Sequence, residues 1–182
     1  MDKEKIRQQR EKLLQRANEE LKDELIPSVL KDKEESGIED GVLAILFDEL
    51  GLNDDEAFGE FFFSPVITDD DEVQYFNCVI VLTQDIDREK LPLLYEAFAY
   101  INFYIPYGSF AIDGDNESIV YRYTQALPIR MKDEDLYAQI QIAMGNAISM
   151  ADSNINLVLS LEDGTMDLED VRDIFISSGD EE

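Results

Sequence analysis

The chain has 182 residues, 45% of them hydrophobic, and a formal net charge of −27. That size and apolar content suffice for one domain with a buried core, while the acid excess opposes binding to phosphate backbones or anionic membrane surfaces. With no histidine and one cysteine, the composition excludes Ser-His-Asp and Cys-His nucleophile pairs, His-ligated zinc, Cys-rich metal centres within one chain and an intramolecular disulfide.

Residues 2–34 read as one long helix. Ile6, Leu13, Leu14, Ala17, Leu21 and Leu25 recur at spacings of three, four or seven, an amphipathic stripe. Arg7–Glu11, Arg16–Glu20 and Glu19–Lys22 are spaced to pair on its exposed side. Pro27 kinks the helix or ends it near Leu25. The stripe is narrow for its length, which suits a helix lying along a sheet or pairing with its copy in a dimer. This segment carries nine Lys/Arg and nine Asp/Glu, so the other 148 residues hold six bases against 33 acids. The first loop is SGIEDG, 36–41.

The period then changes. GVLAILFDEL (41–50) is ambiguous between strand and buried helix, and its Val, Ile and Phe content favours strand. FGEFFFSPVI (58–67) reads as a strand whose Pro65 marks an edge or a bulge. VQYFNCVIVLT (73–83) is the clearest strand: Phe76, Cys78, Ile80 and Leu82 share one face and Tyr75, Asn77, Val79 and Val81 the other. Both faces are fairly apolar, so a central strand covered at least partly on both sides is expected. Cys78, inside that run, has the setting of a buried, inert thiol.

Asp85 or Asp87 is placed to cap the next helix, and Pro92 confines its regular part to residues after about Glu89. Leu91, Leu94, Tyr95, Phe98 and Ile101 form its expected buried stripe, and Pro106 stops it at Ile105. The stretch NFYIPYGSFAIDGDNESIVYRY, 102–123, resolves into the helix end, a Gly108 turn, the strand SFAID, the turn DGDNE and a returning strand SIVYRYT. Its aromatics are then cross-strand packing, with a ligand platform as the alternative. ALPIRMKDED connects to a helix that Asp133 caps and Gly164 terminates. Leu136, Ile140, Met144, Ala147, Ala151, Ile155 and Val158 share its inner face. A short helix through Ile174, begun by Thr165 or Asp167, and a frayed acidic tail complete the chain.

The fold class expected is α+β, an antiparallel five-stranded sheet packed with helices in the order α-β-β-β-α-β-β-α. Residues 1–34 supply the N-terminal helix, 35–163 the core, and 164–182 the short helix and tail. No apolar run approaches the ~20 residues of a membrane helix, and MDKEKIRQQREK lacks the apolar core of a secretory signal. The expected location is the cytoplasm.

No phosphate-cradling GxxxxGK[ST] or GxGxxG occurs. LEDGTMDLED, 161–170, imitates half of an EF-hand loop. With Gly164 at the sixth loop position, the first and third ligand positions fall on Leu159 and Leu161, which carry no oxygen. DGDN (113–116), NDDE (53–56) and DDDE (69–72) read as turn chemistry. No cofactor and no metal is expected.

LPLLYEAFAYIN, followed by YIPYGSFAID and VYRYT, resembles the YbjN-like family of bacterial proteins, described as sensory transduction regulators. Asn102, Pro106, Gly108 and Phe110, then Val120, Tyr121 and Arg122, carry the likeness. The resemblance implies a fold like that of type III secretion chaperones. Those are small, acidic, usually homodimeric α+β proteins that hold a partner chain without hydrolysing anything. The charge-balanced N-terminal helix and the acidic extension past Gly164 depart from the pattern.

The leading expectation is therefore a non-catalytic module, not an enzyme, that holds a partner polypeptide on a sheet face or on an edge strand beside Pro65. Phe61, Phe63, Tyr75 and Tyr123 are its candidate partner-binding residues. The partner is a protein of unknown identity, not nucleic acid or membrane, and a homodimer is possible. The alternative is an acidic inhibitor or immunity protein that neutralises a basic target. A third reading is a carboxylate-only, metal-dependent enzyme.

Overall fold

In the computed structural model, residues 3–65 and 72–177 are described. The first helix, α1 (Lys3–Asp23), ends well before residue 34. Its end is a Schellman motif: Ile26 N–H reaches Leu21 O at 2.9 Å and Leu25 N–H reaches Lys22 O at 3.1 Å. Leu25 takes the left-handed conformation that glycine usually fills, with φ +64°, and stands 89% exposed instead of joining the stripe. Pro27 then turns the chain into a strand, β1 (Ser28–Lys31), and a single helical turn, α2 (Lys33–Ser36), capped by Asp32. The expected 2–34 helix is thus a helix, a strand and a turn. The Arg7–Glu11 and Arg16–Glu20 pairs form at 3.0 Å, while Glu19 accepts from Gln15.

Because of β1, the sheet has six strands, not five. The others are β2 (Val42–Leu50), β3 (Asp55–Phe63), β4 (Val73–Thr83), β5 (Ser109–Asp113) and β6 (Ser118–Pro128). All neighbours run antiparallel, in the order β1-β2-β3-β4-β6-β5. The sheet is open, with β1 and β5 as its edges. The ambiguous 41–50 segment is strand, and β4 is central as expected. Pro65 follows β3, an interior strand, so there is no edge beside it. Residues 66–67 of that segment, Asp69–Asp71 and the 178–182 tail lie outside the described residues.

Three helices pack on one face of this sheet. α1 brings Leu13, Leu14 and Ala17 against Leu43 and Ile45; α3 (Leu91–Tyr104) brings Leu94, Ala97, Phe98 and Ile101; α4 (Asp133–Asp163) brings Ile140 through Leu161. Phe76, Cys78, Ile80 and Leu82 face them, none more than 3% exposed. All seven residues anticipated on the inner face of α4 are buried. On α3, Tyr95 is 58% exposed and Ala97 takes the inner place. Positions 94, 97, 98 and 101 share one side of a 3.6-residue turn, and 95 is rotated away from it.

Asp87 accepts from Glu89 N–H and caps a 3-10 turn (Arg88–Lys90) that leads into α3, with Pro92 in its first turn. Lys132, not Asp133, is the N-cap of α4; the Asp133 carboxylate accepts from Gln9 instead. Gly164, at φ +83°, closes α4. Asp167 then caps α5 (Leu168–Ser177), accepting from Glu169 and Asp170 N–H. α5 lies on α3, where Phe175 stacks on Tyr104 at 5.3 Å.

Burial pushes the Cys78 thiol up to about 12, so it stays protonated and inert at neutral pH. A thiol reagent at about pH 8 is expected to leave native protein unlabelled and to modify one site once denaturant unfolds it. Labelling at equal rates in both states would contradict that burial. On α1, the Glu20 carboxylate accepts from the Tyr137 hydroxyl at 2.7 Å, and this bond holds it below its usual range. A depressed carboxyl adds stability above the unfolded value and loses it as pH falls through the folded one. Tyr137→Phe should therefore flatten the acid limb of a stability–pH profile below about pH 4.5; an unchanged limb would refute the coupling.

Candidate docking surface

The residues that carry the family likeness meet at one corner, where α3 hands the chain to β5. Asn102, in the last turn of α3, donates from Nδ2 to Phe110 O at 2.9 Å and accepts from Phe110 N–H at 2.7 Å. Its amide thus acts as a short extra rung beside the edge strand. Pro106 follows the extended Ile105 cap. Gly108 sits at φ +71°, and a Cβ there would run into the Tyr121 hydroxyl and stand 2.8 Å from Arg122 O. The Tyr121 hydroxyl in turn donates to Tyr107 O at 2.8 Å. Burial raises the Tyr121 phenol well above its ordinary value. Asn102, Pro106, Gly108, Phe110 and Tyr121 therefore build a corner. The ring pair Phe110–Tyr121, 5.1 Å apart, fastens it to the core.

The acidic turns are spent on backbone groups. Asp113 accepts from Asp115 N–H and from Asn116 Nδ2, which holds its carboxyl low. Asp163 accepts from Thr165 N–H, and hydrogen bonding to Thr165 lowers it likewise.

The four candidate docking residues separate. Phe61 and Phe63 are fully buried on the helix-covered face; the pairing of Phe61 with Leu43 and Cys78 puts it among the core residues of that face, and it is removed from any docking role. Phe63 lies against Phe76 at 5.1 Å, under the Arg10 guanidinium, and is removed for the same reason. Tyr123 is on that face too, half-buried, with its ring 5.5 Å from Tyr107 and its hydroxyl bonded to Gln125. Tyr75 alone lies on the opposite face, 48% exposed.

That opposite face is not covered by a helix among the described residues. Among the described residues, helices cover β4 on one side only, and on the other side Tyr75 stands exposed while Asn77 is buried. Register places three ladders across it. Leu46, Phe58, Val81, Val120 and Ala111 form one that is wholly apolar over five strands. Val29, Ala44, Glu60, Val79, Arg122 and Ser109 form the next, over all six. Beyond it lie Lys31 with Val42, and Phe62 with Asn77 and Thr124. Exposure on this face runs from 46% at Leu46 and 51% at Val29 down to 5% at Val120 and 1% at Ala44. Lys31 Nζ lies 3.2 Å from Glu60 and 4.9 Å over the Phe58 ring. Asn77 donates to Ser64 Oγ at 2.8 Å and accepts from Thr124 Oγ1 at 3.0 Å.

Leu46, Phe58, Val79 and Val81 were missed as candidates by sequence reasoning. The signal was present: β2, β3 and β4 are apolar on both faces, where a sheet with one wet face alternates apolar and polar. Which face the helices occupy has no local signature.

No helix among the described residues is long and apolar enough to cross a membrane. A scan against protein-family models gives no match to this chain, and no curated protein matches it either.

Proposed function

We propose that this chain is a non-catalytic, protein-binding module that holds a partner polypeptide against the bare face of its sheet. The reading is carried by the apolar ladder from Leu46 to Ala111, on a face without a helical cover. Water against such a ladder is costly, by about 25 cal/mol per Å2 of apolar surface left exposed, and contiguous apolar surface of this kind marks interaction sites. The YbjN-like and secretion-chaperone resemblance supports the same reading, and with it a cytoplasmic, bacterial setting. Its motif residues would then shape the scaffold, with Val120 and Arg122 reaching the docking face.

The acidic-inhibitor reading draws on a different part of the surface, the helical side, where α4 opens on Asp133, Glu134 and Asp135. The two part on one experiment. Tagged wild-type chain, a Leu46→Glu/Tyr75→Glu variant and Phe103→Ser are used as baits under native conditions. Phe103 is 80% exposed on the helical side. Polypeptides held by wild type and by Phe103→Ser, further copies of the chain included, should be lost from the sheet-face variant. Equal retention by all three baits, or retention by none, would sink the proposal.

A further inference from the structure

Resting on that reading, we propose that the corner where β5 stops short of β6 docks the free C-terminus of a partner polypeptide, which adds to the open edge of β6 as an extended strand and sets its terminal carboxylate on Arg122.

The open edge comes from unequal strand lengths. β5 has five residues and β6 eleven, and they pair only from Ser109 with Arg122 to Asp113 with Ser118. From Tyr123 to Pro128, β6 pairs with β4 on one side and with no strand among the described residues on the other. Backbone groups alternate along a strand between its two neighbours. Ile129 N–H bonds Glu72 O on the β4 side, whereas a Cβ on Gly108 would stand 2.8 Å from Arg122 O, which places that carbonyl on the β5 side. Odd-numbered residues of this segment therefore serve β4, and Thr124 and Ala126 aim their N–H and C=O groups off the sheet. Gln125 Nε2 reaches Ala126 O at 3.4 Å, a long contact that a backbone N–H would displace. Edge groups of this kind are a template for a further strand.

The row is closed at one end. At Gly108, with φ +71°, the chain leaves the β5 row for α3, and β5 itself fills the row beyond. A strand laid on Thr124 and Ala126 has to end or turn away at that corner. Running antiparallel to β6, as β5 does, it arrives there with its C-terminus; running parallel, it arrives with its N-terminus.

Charge chooses between the two. The corner is a hollow of about 420 Å3 lined by Gly108, Ser109, Ala111, Arg122, Tyr123 and Thr124, within the range of pockets that take small ligands. Arg122 is exposed, and its guanidinium makes no ion pair or hydrogen bond among the described residues. The other cation of this face, Lys31, is already held by Glu60 at 3.2 Å. Asp113, at the far end of β5, is spent on Asp115 N–H and Asn116 Nδ2. A free guanidinium matches a carboxylate with two parallel hydrogen bonds and repels an ammonium, so the hollow takes a C-terminus. The terminal residue, opposite Thr124, and the second before it, opposite Ala126, then lay their side chains on the bare face. The residue between them lies on the other side, beside Gln125 and the half-buried Tyr123. With −27 on the chain, acidic side chains in the tail are disfavoured, and the occupant is a neutral or basic tail whose carboxylate meets Arg122.

The test passes random hexapeptides over the immobilised full chain, as free acids and as C-terminal amides, and reads the retained peptides by mass spectrometry. Free acids are expected to be retained at least tenfold more than amides. Arg122→Gln should remove that preference with the circular dichroism unchanged, and Arg122→Lys, which keeps the charge without the fork, should keep part of it. Thr124→Pro takes away an outward N–H and no β4–β6 bond, and should weaken retention of the free acids while leaving the circular dichroism unchanged. Leu46→Glu, on β2, should leave retention as it is. Equal retention of acids and amides, retention of neither, or a preference that survives Arg122→Gln overturns the proposal. If free acids are not retained while the Leu46→Glu/Tyr75→Glu bait still loses its polypeptides, this inference alone falls and the broader function stands.

Discussion

Gly108→Ala is expected to lower stability by about 3 kcal/mol or more, a cost large enough to need a named mechanism. Two costs coincide at that position. The backbone is left-handed at φ +71°, which costs a residue with a Cβ roughly 1–2 kcal/mol. The new methyl would also meet the Tyr121 hydroxyl and, at 2.8 Å, Arg122 O. The hydroxyl belongs to a buried ring and bonds Tyr107 O, so it cannot swing aside freely. In a domain of this size each kcal/mol moves Tm by about 2–4 °C, so a fall of about 6–12 °C is expected by thermal unfolding. Tyr121→Phe should recover only a small part of the loss in the double variant, because it removes the hydroxyl but leaves both the ring carbon Cζ and the Arg122 carbonyl against the new methyl. A fall of under about 2 °C for Gly108→Ala would show that the corner yields and that the motif glycine is not required by the fold.

Arg10→Ala is expected to cost about 3–5 kcal/mol, and Asp40→Ala a similar amount, because each strands the opposite charge in the interior. Arg10 is 1% exposed and Asp40 7%. The guanidinium donates to Asp40 Oδ2 at 2.6 Å, to Ser64 O at 3.0 Å and, through Nε, to Gln74 Oε1 at 2.9 Å. It also lies 4.7 Å over the Phe63 ring. Its Nη2 is buried without a partner among the described residues. Burial raises the Asp40 carboxyl, and this outweighs the lowering by Arg10. A carboxyl raised in the fold contributes stability below its unfolded value and loses it as pH rises through the folded value. Replacing both ends of a buried pair by apolar side chains of similar volume is often neutral or stabilising. The double variant Arg10→Met/Asp40→Leu should accordingly recover most of the loss in urea unfolding. A double variant about as unstable as either single would show that the pair is a net stabiliser.

That buried pair also illustrates what remained illegible. Arg10 falls on the inner side of α1 by helical spacing, between Ile6 and Leu13, yet charge argues for exposure. The pair is permitted because residues far apart in sequence, Asp40, Ser64 and Gln74, converge there. β1 was hidden for a related reason. SVLK is four residues long and ends a stretch whose apolar spacing still suited a helix. Its pairing partners, Val42 through Ile45, are what make it a strand. β4, β5 and the seven inner positions of α4 were legible because each shows its period over its full length. The candidate aromatics divided by the same logic. Phe61 and Tyr75 both read as sheet residues, and local sequence holds no sign of which side of the sheet the helices take.

Read alone, the chain determined its α+β class, the absence of imidazole and phosphate-loop chemistry, the span of β4, the inner stripe of α4 and the turn after Tyr107. Each depends on side chains within a few residues of one another, through period, capping or backbone restriction. The tertiary structure decided that α1 stops at Asp23, that a sixth strand closes one edge, and that Phe61 and Phe63 lie inside while Leu46, Phe58 and Val81 line an uncovered face. Those outcomes depend on which surface buries against which. Apolar burial is non-directional, and only the assembled layers choose between two faces that are both apolar enough to be covered.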